Sequence, residues 1–130
     1  MLRKLHFAVG LAGIVAFVVT GVYMQAGFPD RYAANEALRY LSRSNHVYVL
    51  LASLANVALG VHLVPAEPGW RASVSVVGSV LALAAPVVLC FAFFREASVA
   101  EAERAWTLAG VAALTAGIAL HVLGGMGARR

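Results

Sequence analysis

From Ser44 to Leu63 the chain reads SNHVYVLLASLANVALGVHL, twenty residues without a formal charge. As a helix this run is roughly 30 Å long, the hydrocarbon thickness of a bilayer. Such a run has few ways to fold. In lipid every backbone N–H and C=O must be satisfied inside the segment, and a helix does that alone. Three more runs of similar character lie at about 5–25, 72–94 and 105–126. The expected fold is an all-α integral membrane protein, a four-transmembrane-helix up-down bundle. It forms one domain over residues 1–130 with no linker. The 12% of charged residues is about half the share usual in soluble proteins, which agrees with this reading.

The polar positions of the Ser44–Leu63 run are not scattered. At about 100° per residue, with His46 as origin, Ser53 lies near −20°, Asn56 near −80° and Gly60 near −40°. Ser53, Asn56 and Gly60 therefore form a helix-packing face shared with His46. An Asn amide in hydrocarbon is costly without a partner, so this face is expected to point into protein. His62 lies about 160° from His46 and roughly 24 Å along the axis, so one site cannot use both. Ser44 suits an N-cap, and Pro65 disfavours helix just beyond the run.

The first run follows Arg3-Lys4, as the apolar part of a signal peptide does. It is longer than such a segment, however, and Met24 is a poor −3 residue for cleavage after Ala26, so a retained span is expected. One face of it carries Gly10, Gly13, Phe17, Thr20 and Gly21, with His6 and Met24 nearby. The third run places Ser75, Ser79, Ala82 and Pro86 on one face. There Pro86 frees a backbone carbonyl near or beyond mid-span. In the fourth run Gly110, Ala113, Gly117, His121 and Gly124 share a face. Small residues in these rows let helices approach closely. Cys90, the single cysteine, sits among apolar neighbours and reads as an inert core thiol.

Between the first two runs, residues 30–42 have an amphipathic pattern. Ala34, Ala37, Leu38 and Leu41 make the apolar stripe, and Arg31, Asn35, Arg39 and Ser42 the polar one. An interfacial amphipathic helix lying on the membrane is expected here, with Pro29 at its start and Phe28, Tyr32 and Tyr40 as anchors. Residues 64–71, VPAEPGWR, read as a tight turn, and 95–104, REASVAEAER, as a solvated one. Trp70 and Trp106 mark interfaces.

Four spans put both termini on one side. Arg3, Lys4, Arg71, Arg129 and Arg130 would lie there, and Arg31, Arg39, Arg43, Arg95 and Arg104 on the other. Five against five leaves the positive-inside rule undecided and is compatible with dual topology. The net charge of +4 sits at span ends, where it meets anionic headgroups; no nucleic-acid partner is expected. A bacterial-type inner membrane is the expected location.

No nucleophile–base or acid–base pair, phosphate loop or zinc spacing is visible, so no catalytic activity is assigned. The expected role is an accessory or structural subunit. It would pack against copies of itself as a homo-oligomer, or against a larger membrane complex. The alternative is electron transfer through a b-type haem. His6 and His121 lie on glycine-rich faces toward the terminus side, and the first and fourth helices of an up-down bundle are neighbours. They form one candidate ligand pair, and His46 with Met24 a second, since haem accepts His/His or Met/His ligation. No other metal is implied. In having four spans with histidines near their ends, the chain resembles small membrane cytochromes of the b561 type. Its size and balanced charge also resemble the dual-topology small multidrug exporters. Those work through a membrane-embedded glutamate, which no span here contains. Nor does it carry the Gly-Ala-x-x-Arg-Tyr-like pattern of dual-topology fluoride channels.

Overall fold

A computed structural model describes residues 1–28, 30–62, 68–96 and 104–125. It contains four α-helices among these: α1 (Leu2–Ala26), α2 (Glu36–His62), α3 (Trp70–Glu96) and α4 (Ala105–Gly125). All four are long and apolar enough to cross a membrane. The first and third extend a few residues beyond the apolar runs at each end.

The second helix departs most from expectation. No separate interfacial helix lies between α1 and α2. Residues 30–33 form turns, and from Glu36 onward the amphipathic segment is continuous with the span. The reason is a cap and a phase. The Asn35 side-chain oxygen accepts from Leu38 N at 2.9 Å, so Asn35, not Ser44, starts the helix. Leu41 lies two turns ahead of Tyr48 and Val49 on the same helix, so the apolar stripe runs on into the span without a break in phase. Ser42, assigned to the polar stripe, is fully buried, and so is Asn45. Tyr32, expected as an interfacial anchor, is buried against Gly27, where a Cβ would stand 2.9 Å from its ring. Tyr40 and Phe28 are exposed, as anchors would be. Pro29 and most of the two later turns (63–67, 97–103) lie outside the described residues.

The close contacts run in opposite chain order along successive helices. Gly60, Val57 and Ser53 of α2 meet Phe7, Gly10 and Gly13 of α1 in turn. A Cβ on Gly60 or Gly10 would come within 2.7 Å of the facing backbone nitrogen. On the other pair, Gly78 and Gly117 bring α3 and α4 together, and Gly124 rests on Ser75. Thus α1–α2 and α3–α4 are two tight hairpins. They are joined mainly through α2 and α3, around Val49, Ala52, Ala85, Leu89 and Leu114. By contrast, α1 and α4 have no Cα atoms within 8 Å of each other.

The distribution of side chains is inverted relative to a water-soluble protein. Val15, Val22, Leu51, Val80, Val87 and Leu108 face outward, each more than half exposed. His6, Ser42, Asn45, Ser53, Asn56 and Ser79 are fully enclosed.

The turn entering α4 is not simply solvated. Glu96, the last residue of α3, is buried and caps α4. One carboxylate oxygen accepts from Trp106 N at 2.5 Å and the other from Thr107 N at 3.0 Å. Those two N–H groups belong to the first turn of α4 and have no partner within the helix, and a carboxylate there also complements the helix dipole. Nearby, Arg104 Nη2 donates to Asn45 Oδ1 at 2.5 Å and Ser44 Oγ at 3.1 Å, while Asn45 Nδ2 donates to Ala92 O at 3.3 Å. This clasp ties α2, some nine residues inside its N-terminus, to the end of α3 and the start of α4.

Candidate functional site

At the opposite end, His6 of α1 and His121 of α4 come together. Their ring centroids are 6.5 Å apart and the planes meet at 68°. His6 is fully buried and His121 nearly so. They touch across the one pair of helices adjacent in the expected bundle whose backbones stay apart.

Each imidazole is held by one ring nitrogen. His6 Nδ1 lies 2.7 Å from Asn56 Oδ1. The Asn56 amide nitrogen donates to two backbone carbonyls, Ala52 O on its own helix at 2.9 Å and Ala82 O on α3 at 2.7 Å. Ala82 O is available because the residue four positions on is Pro86, which has no N–H to offer it. His121 Nδ1 lies 3.2 Å from Ser75 Oγ and 3.4 Å from Ser79 Oγ, both on α3. The second ring nitrogen of His6, Nε2, is buried with no hydrogen-bond partner. Ser42 Oγ and Arg104 Nε are the other buried side-chain atoms so placed among the described residues.

The remaining candidate residues are placed differently. Ser53, Asn56 and Gly60 are buried on one face of α2, the first donating to Val49 O at 2.6 Å. His46 is half-buried, its ring stacked on Phe17 at 3.9 Å between centroids. Its Nδ1 is 2.9 Å from Thr20 Oγ1, and that hydroxyl donates to Phe17 O at 3.0 Å. Met24 lines a cavity of about 300 Å³ with Gly21, Gln25, Phe28, Tyr32, Arg39 and Arg43, a lining that does not include His46. His62 ends α2 and is exposed. His46 packs beside Gly21, fifteen residues from His6 along α1. That is roughly 22 Å of helix, so the two histidines belong to opposite ends.

Among the described residues, no group of three or more His, Cys, Asp or Glu side chains could hold a metal ion as a protein-only cage. What the site offers is two imidazoles from two helices, nitrogen donors of the kind that would hold a haem iron. The glycines near these histidines serve helix contacts: Gly10 and Gly13 face α2, and Gly117 and Gly124 face α3.

The links from Ser75 and Ser79 to His121, and from Pro86 through Ala82 to Asn56, were not legible as contacts in the sequence. The signal for the second was present. A proline in an apolar span leaves the carbonyl four residues earlier without its usual donor, and that carbonyl needs one from a neighbouring helix. Compared with protein-family models, curated proteins and solved structures, the chain matches none.

Proposed function

We propose that the protein is a four-span, up-down membrane bundle that holds a b-type haem between His6 and His121 and transfers single electrons. The observation that carries this reading is the pairing itself. Two buried imidazoles from helices otherwise held apart face one another, and one has a buried ring nitrogen without a partner. An unpaired buried nitrogen of this kind costs on the order of 1–3 kcal/mol, so a ligand that takes it is favoured. When bound, the haem iron supplies the ferric/ferrous couple. The protein's own part is to supply two nitrogen donors, to fix their rings through Asn56, Ser75 and Ser79, and to keep them from water.

The outward apolar faces support insertion in a membrane, with α1 through α4 crossing in alternation. The second reading, a packing subunit for a partner or for copies of itself, is supported by those same exposed faces. The glycine rows give it no added support, because their contacts are made within the chain.

An absorption spectrum of the detergent-purified protein, expressed with haem supplied and measured oxidised then reduced, separates the two. A Soret band with sharp reduced α and β bands is expected. His121→Ala should remove most of the bound haem with little loss of folded protein. A clean protein spectrum, or equal haem content in wild type and variant, overturns the assignment and leaves the packing reading.

A further inference from the structure

We propose that Pro86, acting through Asn56, locks His6 in the tautomer that carries its proton on Nδ1, so that Nε2 presents a buried lone pair. The helices involved are α3, α2 and α1, in that order. This builds on the haem reading only for what Nε2 holds; the tautomer stands without it.

The chain of reasoning starts at the proline. An α-helix closes each carbonyl with the N–H four residues later, and at Ala82 that residue is Pro86. Ala82 O therefore needs an outside donor, and it lies 2.7 Å from Asn56 Nδ2. A carbonyl only accepts, so the atom facing it must be the amide nitrogen. The second contact of the same nitrogen, to Ala52 O at 2.9 Å, excludes the flipped amide a second time. With both N–H bonds directed at carbonyls, Asn56 turns its oxygen to His6. An amide oxygen also only accepts, so the nitrogen 2.7 Å from it, His6 Nδ1, must carry the hydrogen. A neutral imidazole has one N–H. Nε2 is then the lone-pair nitrogen, and it is the atom with no partner in a fully buried ring.

His121 is not fixed in this way. Its Nδ1 faces two serine hydroxyls, and a hydroxyl can donate or accept. Asn56 is therefore the positioning residue of the pair. A ligating histidine whose other nitrogen donates to a fixed carbonyl-type oxygen is both oriented and made more basic. Losing such a partner typically lowers affinity about 10- to 100-fold.

The test uses full-length protein labelled with ¹⁵N-histidine, in detergent and free of haem, at mildly alkaline pH. Wild-type His6 should show a protonated Nδ1 and an unprotonated Nε2. Asn56→Leu should lose that preference. Asn56→Asp keeps an accepting oxygen for His6 Nδ1 but loses the donor to Ala82 O and Ala52 O, so it should keep the preference in a less stable fold. Pro86→Ala returns an N–H to Ala82 O and should weaken the preference without touching either histidine. With haem supplied, Asn56→Leu should bind it about 10- to 100-fold more weakly and at a higher midpoint potential than Asn56→Asp. A wild-type His6 protonated on Nε2 overturns the proposal, as does an Asn56→Leu variant with an unchanged tautomer. If no variant binds haem but the tautomer follows Asn56, the haem reading fails and this inference holds. Should Asn56→Leu not fold, the wild-type spectrum and Pro86→Ala decide the matter.

Discussion

The two ends of the bundle bury polar groups in opposite ways. At the clasp, unlike groups meet: the Glu96 carboxylate takes N–H groups of Trp106 and Thr107, and the Arg104 guanidinium takes the Asn45 oxygen. At the other end like meets like, imidazole to imidazole, 6.5 Å apart. Complementary groups satisfy each other and hold helices in place. The two imidazoles do not bond to each other at this spacing; each is held by its own partner, His6 by Asn56 and His121 by Ser75 and Ser79. The clasp ties three helices together through cross-helix bonds, with Arg104 Nε left over, whereas at the histidine pair the nitrogen left over, His6 Nε2, is one that could ligate.

The contrast can be broken by substitution. Glu96→Ala strips the carboxylate from the first turn of α4 and should cost about 2–3 kcal/mol in reversible unfolding from detergent micelles. The ¹⁵N spectrum of His6 and His121 should stay in place. A shifted spectrum at equal stability would show that the ends are coupled rather than separate in purpose. Replacing Ser75 and Ser79 together with Ala should show the reverse balance. A loss of about 1 kcal/mol is expected with a clear shift of the His121 ring resonances, since two hydroxyls near Nδ1 disappear. The smallest effect belongs to neither end. Glu36→Gln removes an exposed ion pair with Arg39 at 3.4 Å and should change stability by less than about 0.5 kcal/mol. A larger loss would mean that the entry to α2 bears more of the fold than its exposure suggests.

The four long helices were legible because hydrophobic runs of bilayer length have one economical backbone solution. The buried face of Ser53, Asn56 and Gly60 was legible for a related reason: helical period alone puts those residues on one side. The start of α2 was misread because an amphipathic stripe looks the same whether its helix lies on a surface or runs on into a span. Only the Asn35 cap and the burial of Ser42 distinguish the cases. Glu96 was misread because charge in a short loop usually means water, and its partner N–H groups become available only when α4 starts beside it. At the histidine site, which residues shared a face was visible. The amide direction at Asn56 was not, since it depends on a carbonyl contributed by another helix.

The separation of α1 from α4 bears on how the molecule is made. Each hairpin closes on its own glycine contacts, so each can form as soon as its second helix has been synthesised. The imidazole pair needs one residue from each hairpin. It comes into being last, when the two halves dock and enclose it. Whatever the two imidazoles hold can therefore be held only once both hairpins are made and docked.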